Sequence, residues 1–403
     1  MAKEELAVTK FREYLRIKTV QPNPDYESAV RFLVAYAEEL GLPCRITEVA
    51  QGKPVITMTW EGANPKLGTV LLNSHSDVSP AFAEYWTFDP FGGEKDADGN
   101  IYGRGAQDMK CVGIQYLEAI RKLRQNGVVP VRTVHVTFVP DEQVGSEEGM
   151  KLFVKHEDFR NLNIAFAMDE GLASEDGVYR VYNAERSPWW IKVTCTGNAG
   201  LGAYLVQNTA IEKLRKITDA FLEFRAEQEA TLKNDSTMVL GDVTSVNCTM
   251  IEGGVQPNMV PAEMSSVFDV RVTVTQDMLE LENKIHQWAK SAGDGIKVEF
   301  LQKNTFQGVT PADDSNPWWV AFQSACNEMG IPWKREVFPA FSDGRIMRQL
   351  GLPALGFSPM INTPITLHDH NEFLNERVFL TGVDVYCGII SSLASVPGEV
   401  SSP

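Results

Sequence analysis

Histidine and carboxylate side chains follow three apolar segments of this 403-residue chain, at the point where each segment ends. His75 and Asp77 close the segment TVLLNSHSD. Glu142 closes RTVHVTFVPDE, and Glu170 closes IAFAMDE. A single strand end of this kind is typical of polar residues exposed to solvent. Three of them favour a site, because burying a charge is costly unless the charge is paired or bound to a metal.

Two loops add further groups that can bind a metal. Asp108 lies in YGRGAQDMK just before a predicted helix, where an isolated Asp is typical of a helix N-cap. His368 lies in TLHDHNE, a late loop rich in imidazole and carboxylate groups. Three other histidines lie in ordinary strand or helix patterns and are interpreted as structural: His135, His156 and His286.

Imidazole and carboxylate ligands without thiolates are typical of zinc, manganese or cobalt sites. A bridging carboxylate can hold two ions about 3.5–4 Å apart, and such ions lower the pKa of bound water and polarise an amide carbonyl. A nearby carboxylate then acts as general base. The sequence contains no GxSxG, P-loop or GxGxxG motif. The pattern therefore predicts metal-dependent amide hydrolysis.

The overall composition restricts the partners. A formal net charge of −16 disfavours binding to nucleic acid or to anionic membranes. No apolar stretch reaches the roughly 18 residues of a membrane span, and the start MAKEELAVTKFREYL is typical of an amphipathic helix rather than a signal peptide. The six cysteines are scattered and form no CxxC pair, which favours reduced thiols in a cytoplasmic protein.

Alternating strand and helix patterns surround the candidate residues in the first part of the chain. TVLLNSHSD is a continuous apolar run, as expected for a buried parallel strand. Helices are predicted over Tyr26–Leu40, over MKCVGIQYLEAIRKLRQNG and, as one piece, over GMKLFVKHEDFRNL. This order predicts an α/β domain with a mainly parallel sheet. Ligands of such sheets gather at the carboxyl ends of the strands, where the candidate residues lie.

The middle of the chain follows a different order, β-α-β-β-α-β, from SPWWIKVTCTG to IKVEFLQK. That order is typical of a ferredoxin-like α+β unit. Strand and helix alternate again afterwards, so we expect the small domain to be inserted into the large one. The predicted catalytic domain comprises residues 1–185 and 306–403, and the predicted insertion comprises residues 186–305.

A series of segments resembles the landmarks of the M20 family of zinc peptidases and amidohydrolases, and in particular of its aminoacylase branch. The segments are NSHSDVSP, IYGRGAQDMK, FVPDEQVGSEEGM, MDEG, RSPWW, TPADDSNPWW, PALGFSPM and LHDHNE. The resemblance runs almost from end to end. It implies a Zn²⁺-dependent hydrolase of N-acyl-L-amino acids, with the inserted domain as the lid and dimerisation domain of a homodimer.

The resemblance also implies ligands for two metal ions. A first zinc ion would be held by three side chains: His75, Asp108 and Glu170. A second ion would share Asp108 and add His368. In the family, the residue that follows the general base supplies a further ligand to this second ion.

The remaining implied roles concern catalysis and substrate binding. Glu142 would be the general base, and Asp77 would orient His75. Three residues would bind the carboxylate and polar atoms of the substrate: Asn258, Arg271 and Arg345. For the two arginines, a surface ion pair is the alternative interpretation.

Two positions depart from the family pattern. Gln143 stands where the family has a metal-binding Glu, and because an amide oxygen carries no charge, the second ion should bind more weakly. Leu201 stands where the family usually has a His that reaches the partner subunit's active site and steadies the oxyanion. Loss of one oxyanion donor typically lowers turnover by about 10²–10³.

Two functions stay open at this point. One is an N-acyl-amino-acid hydrolase with weakened activity, favoured by the retained residues His75, Asp108, Glu142, Glu170 and His368. The other is a catalytically inactive pseudoenzyme that binds a small apolar or acyl ligand in the former active-site cleft. Gln143 and Leu201 favour this second function.

Overall fold

The computed structural model describes residues 4–398. Contacts among them divide the chain into two compact units. Unit 1 contains the residues up to Asn183, Thr310–Arg335 and the residues from Ser342 onward. Unit 2 contains Ala184–Val309 and Glu336–Phe341. Unit 1 is therefore built from separate stretches of sequence, with most of unit 2 inserted after the first of them.

The secondary structure follows the chain as a mixture of helices and strands. The helices are α1 (Leu6–Leu15), α2 (Tyr26–Leu40), α3 (Lys110–Gln125), α4 (Met150–Phe153), α5 (Glu157–Asn161), α6 (Ala210–Asn234), α7 (Met278–Ala292), α8 (Pro317–Glu328), α9 (Gly344–Gln349) and α10 (Glu376–Leu393). The first strands are β1 (Cys44–Ala50), β2 (Lys53–Trp60), β3 (Thr69–His75), β4 (Glu94–Lys95), β5 (Asn100–Tyr102), β6 (Val134–Val139), β7 (Ile164–Asp169) and β8 (Tyr179–Glu185). The later strands are β9 (Ser187–Thr196), β10 (Gly200–Leu201), β11 (Ser245–Gly253), β12 (Met259–Val260), β13 (Glu263–Val272), β14 (Ile296–Lys303), β15 (Trp333–Phe338), β16 (Ala354–Phe357) and β17 (Phe373–Asn375).

The large sheet has the strand order β1-β2-β6-β3-β7-β16-β8-β15. Its central strands β6, β3, β7 and β16 are parallel, whereas β1, β2 and β8 join antiparallel. Every residue of β3, β6 and β7 is buried, as expected for strands covered on both faces. The predicted α/β class with a mainly parallel sheet is confirmed. The carboxyl ends of these three neighbouring strands meet at one edge of the sheet.

Helix α2 begins and ends where the sequence predicts. Its N-cap Asp25 accepts a hydrogen bond from the Ser28 N–H at 3.0 Å. Gly41 follows with a φ of 62°, a left-handed conformation that commonly ends helices. The helix buries Leu33 and Tyr36 in the main apolar core of unit 1.

The single helix predicted over GMKLFVKHEDFRNL is wrong. The structure contains two short helices instead, α4 and α5, separated by three residues. The cause is His156, whose Nδ1 accepts a hydrogen bond from the Asp158 N–H at 3.1 Å and so caps the start of a new helix.

Unit 2 has a four-stranded antiparallel sheet in the order β11-β13-β9-β14, as the β-α-β-β-α-β pattern predicts. Helices α6 and α7 contact each other and cover the sheet. Its separate apolar core includes Trp189, Phe221 and Phe268, and the last two rings stack at 4.0 Å. Helix α6 starts with a capping box between Thr209 and Glu212.

Candidate metal centre

His75 is buried at the carboxyl end of β3. Its Nδ1 lies 2.8 Å from the backbone carbonyl oxygen of Asp77 and 3.5 Å from the Asp77 carboxylate. A carbonyl oxygen only accepts hydrogen bonds, so Nδ1 carries a proton. Nε2 therefore faces the site, where it lies 2.8 Å from Asp108 Oδ1.

Asp108 lies between two histidines. Its Oδ1 contacts His75, and its Oδ2 lies 2.8 Å from the Nε2 of His368. The N-cap of α3 is Met109, so Asp108 is not the helix cap that its position in the sequence suggests. The peptide bond between Asp108 and Met109 is cis. One carboxylate thus lies within hydrogen-bond distance of both imidazoles.

Glu142 and Glu170 complete a buried group around His75. The His75 Nε2 lies 3.8 Å from Glu142 Oε2 and 3.6 Å from Glu170 Oε1. One potential ligand atom from each of the three residues lies within 4.8 Å of the other two. Imidazole and carboxylate atoms at such spacing suit a divalent cation.

The carboxylate of Asp77 holds the segment that carries the expected base. Asp77 Oδ1 accepts a hydrogen bond from the Glu142 N–H at 3.1 Å, and Oδ2 accepts one from the Gln143 N–H at 3.2 Å. Oδ2 also accepts from Gln21 Nε2 at 2.8 Å. Asp77 therefore positions both His75 and Glu142, through its backbone carbonyl and its carboxylate respectively.

The carboxamide of Gln143 joins two of the acids. Its Nε2 donates to Asp108 Oδ2 and to Glu142 Oε2, each at 3.0 Å. Its Oε1 is buried and has no hydrogen-bond partner. A buried amide oxygen without a partner can serve as a neutral ligand, so the residues present fit a second cation with one charge fewer than a glutamate would supply.

Electrostatics at this centre reflect a surplus of carboxylates. Burial raises the pKa of Glu142 well above its usual range, and the charge of Asp343 adds to this. Burial and the charge of Asp108 likewise raise the pKa of Glu170. Burial alone would lower the pKa of His75, but Glu170 and Asp108 hold it well above its usual value. Positive charge is therefore stabilised here, and a divalent cation would supply it.

The contact between His368 and Asp108 shifts the pKa values of the two groups in opposite directions. The hydrogen bond to Asp108 raises the pKa of His368. Burial would raise the pKa of Asp108, but the two histidines His75 and His368 hold it well below its usual range. The two imidazoles therefore stabilise the charged form of Asp108.

Sequence reasoning missed two further buried acids of unit 1. Glu372 accepts hydrogen bonds from the backbone of the Asp108 loop, including Gln107 N–H at 2.7 Å. Asp343 accepts a hydrogen bond from the Ser146 hydroxyl. Both acids lie in polar loops that follow no apolar strand, so only their places in the LHDHNE and FSDGR segments could have signalled them.

The predicted substrate-binding residues lie in different places. Arg345 is buried on α9 of unit 1, and its Nη2 lies 3.4 Å from the Gly145 carbonyl oxygen. Asn258 and Arg271 belong to unit 2, where Arg271 Nε pairs with Asp269 at 2.7 Å. Leu201 also belongs to unit 2 and lies 47% exposed on β10. The roles assigned to these residues stay predictions.

Within residues 4–398, no helix combines the length and the apolar character that crossing a membrane requires.

Comparisons with known proteins identify the family. Residues 71–392 match the model of Peptidase family M20/M25/M40. Aminoacylase-1A of Rattus norvegicus is 52% identical over 394 residues, which cover 98% of this chain and 97% of that protein. Aminoacylase-1 of Homo sapiens is 50% identical with the same coverage. Aminoacylase-1 of Dictyostelium discoideum is 44% identical over 401 residues, covering 96% of this chain and 98% of that protein.

Solved structures share the fold at much lower identity. The M20 family metallo-carboxypeptidase Sso-CP2 of Sulfolobus solfataricus superimposes with a TM-score of 0.74 at 17% identity, covering 97% of this chain and 100% of that one. A dinuclear metal binding peptidase of the M20 family from Bacillus subtilis gives a TM-score of 0.67 at 15% identity. The match covers 98% of this chain and 100% of that one. With the family model and the close relatives in agreement, the chain belongs to the M20 peptidase family.

Proposed function

We propose that this protein is a metal-dependent amidohydrolase that cleaves N-acyl-L-amino acids into a carboxylate and an amino acid. The observation that carries this proposal is the position of Asp108, which contacts His75 and His368 at 2.8 Å each. Buried Glu142 and Glu170 lie beside the same imidazole. The relatives named aminoacylase-1, which match nearly the whole chain, support the choice of substrate class.

Zinc is the proposed metal, in one strong site and one weak site. Three residues would hold the first ion: His75, Asp108 and Glu170. Asp108, His368 and the Gln143 amide oxygen would hold the second. When bound, such ions polarise the amide carbonyl and lower the pKa of a water molecule. A dinuclear metal binding peptidase among the structural neighbours supports the proposal of two metal sites.

Glu142 is the proposed general base. Its carboxylate would take a proton from the attacking water and pass it to the nitrogen of the leaving amino acid. Its carboxylate lies 3.8 Å from the His75 Nε2, beside the residues that would hold the first ion. Asp77 would fix the base by binding its backbone N–H at 3.1 Å.

Unit 2 is proposed to serve as the lid and dimerisation domain of a homodimer. Asn258 and Arg271 would bind polar atoms and the carboxylate of the substrate from unit 2, and Arg345 would do so from unit 1. The free state of all six cysteines supports a cytoplasmic location.

A second candidate is a pseudoenzyme that binds an apolar or acyl ligand. Gln143 favours it, because its amide already donates hydrogen bonds to Asp108 and to Glu142, two carboxylates that catalysis needs. The exposed apolar side chain of Leu201 favours it too, because leucine cannot donate a hydrogen bond to an oxyanion.

Hydrolysis of N-acetyl-methionine and of a longer N-acyl-methionine by the zinc- or cobalt-loaded protein separates the two candidates. We expect turnover that Glu142→Ala lowers by at least about 10². Turnover no higher than that of Glu142→Ala would rule out the hydrolase. If the double substitution Gln143→Glu and Leu201→His then restores activity, the chain is a pseudoenzyme that lost its chemistry at those two positions.

A further inference from the structure

Glu372 is buried and uses both carboxylate oxygens on the loop that carries Asp108. Oε1 accepts hydrogen bonds from the backbone N–H of Gln107 at 2.7 Å and of Asp108 at 3.3 Å. Oε2 accepts from Arg104 Nη1 at 2.7 Å and from the Gly105 N–H at 3.3 Å. The carboxylate thus binds three backbone donors of this loop, including the N–H of Asp108 itself.

The side chain of Gln107, in the Asp108 loop, forms hydrogen bonds in the opposite direction, to the loop that carries His368. Its Nε2 donates to the carbonyl oxygens of Pro364 and Phe373, each at 2.9 Å. Its Oε1 accepts from the Thr366 N–H at 3.0 Å. The His368 loop is therefore held on both sides of the histidine by one buried amide.

A short strand pair fixes where the two loops start. β17 follows Glu372 and pairs antiparallel with β5, with Phe373 opposite Tyr102. The Gly103 N–H, just after β5, donates to the Glu372 carbonyl oxygen at 3.0 Å. The loop to Asp108 leaves this ladder at the point where the loop from His368 enters it.

We propose that Glu372 and Gln107 form a reciprocal clamp that sets the distance between Asp108 and His368, with Glu372 as a positioning residue for the metal centre. Neither side chain is a ligand. Their effect is to hold the Asp108 carboxylate between its two imidazoles, at 2.8 Å from each. The proposal rests on the proposed function in one respect, namely that these residues bind a metal.

The clamp is expected to affect metal affinity, in addition to the stability that the buried Arg104–Glu372 pair contributes. Groups that orient metal ligands typically contribute 10–100-fold to metal affinity or activity, hence about that loss when they are removed. Glu372→Gln keeps the shape of the side chain but removes the charge that faces Arg104 and at least one acceptor. We therefore expect the zinc dissociation constant to rise by about 10–100-fold.

The matched control is Glu376→Gln, the same substitution four residues later. Glu376 lies at the start of α10, where its carboxylate pairs with Lys95 Nζ at 2.7 Å. Zinc affinity is measured by titrating zinc chloride in a chelator buffer, and ligand geometry by the visible absorption of the cobalt-loaded full chain. Glu372→Gln should weaken zinc binding and change the cobalt spectrum, whereas Glu376→Gln should change neither.

If Glu372 has only a structural role, Glu372→Gln lowers the melting temperature and leaves the zinc affinity unchanged. That result overturns the clamp. If Glu372→Gln does not fold, Gln107→Met tests the second residue of the clamp. This substitution removes three hydrogen bonds and leaves no buried charge without its partner. Unchanged zinc affinity in folded Gln107→Met also overturns it.

Failure of the proposed function is distinguishable from failure of the clamp. Wild-type protein that binds zinc but hydrolyses no N-acyl amino acid refutes the hydrolase and leaves the affinity comparison valid. Wild-type protein that hydrolyses its substrate while Glu372→Gln binds zinc equally well refutes only the clamp. Wild-type protein that binds no zinc refutes both.

Discussion

At the scale of single residues, the amide of Gln143 occupies hydrogen-bonding positions on two acids at once. It donates to Asp108 and Glu142 at 3.0 Å each, so it stabilises their charge in place of a cation. A second ion would have to displace those hydrogen bonds and would gain only a neutral oxygen in return. The number of ions that the protein retains should therefore depend on this one side chain.

We predict that Gln143→Glu raises affinity for a second zinc ion by at least about tenfold, equivalent to about 1.4 kcal/mol. The added carboxylate supplies charge where Asp108 and His368 offer the other ligands. Metal content after dialysis against a graded chelator buffer measures the effect. Gln51→Glu, in the exposed turn between β1 and β2, is the control that should leave metal content unchanged. Equal second-site affinity in wild type and Gln143→Glu contradicts the prediction.

Three of the candidate residues share one signal: an acidic or imidazole group directly after a buried apolar strand. That signal identified His75, Glu142 and Glu170, which the structure brings within 4.8 Å of one another. Glu372 has no such signal, because polar residues precede it and its partners lie about 264 residues earlier in the chain. Its contacts depend on the tertiary fold.

At the scale of elements, the buried central strands of the large sheet were predictable, whereas its edge strand β15 was not. The residues of β3, β6 and β7 are buried throughout, so each is a continuous apolar run in the sequence. β15 reads WKREVF, with three charged residues in the middle, and such a strand at the sheet edge has no clear apolar pattern. The break between α4 and α5 was missed for another reason, because a His cap is uncommon among N-caps.

The β2–β6 strand pair contains a buried titratable group, His135, which lies opposite Thr59. Its Nδ1 contacts the Thr59 hydroxyl at 3.0 Å. Burial lowers the pKa of His135 to about 4, from an ordinary value of 6.5. Between these values the unfolded chain binds more protons than the folded one. The stability that His135 contributes is therefore complete above pH 6.5 and is lost as pH falls from 6.5 to about 4.

We predict that His135→Gln flattens the acid side of the stability profile. The wild type should lose up to about 3 kcal/mol more than the variant across this window, since one pKa unit corresponds to about 1.4 kcal/mol. Melting temperatures from pH 7 to pH 4 measure the difference. His286→Gln is the control, because that imidazole on α7 is 52% exposed. Parallel acid profiles of wild type and His135→Gln contradict the prediction.

At the scale of the whole molecule, unit 2 presents an apolar edge. β11 is an edge strand of its sheet, and Met250 and Ile251 on it are 50% and 65% exposed. Proteins usually protect such edges with charges or cover them with a partner. We predict that a second copy of the chain covers this edge in the proposed homodimer.

We predict that Met250→Glu combined with Ile251→Lys weakens dimerisation by at least about 100-fold, equivalent to about 2.7 kcal/mol. Sedimentation velocity over a range of protein concentrations measures the dissociation constant. Leu279→Glu, on α7 of the same unit and 66% exposed, should leave the dimer intact. A wild-type protein that sediments as a monomer at every concentration contradicts the prediction.

The pairing of Asp108 with Glu372 has a consequence for biosynthesis. The N–H groups of Gln107 and Asp108 leave the ribosome long before their acceptor, which follows 264 residues after Asp108. At about 5–20 residues per second, the interval is roughly 15–50 s. In that time the whole of unit 2, which lies between them in the sequence, is synthesised. A nascent chain interrupted before Glu372 would therefore lack the acceptor of these two N–H groups, and with it the proposed clamp on Asp108.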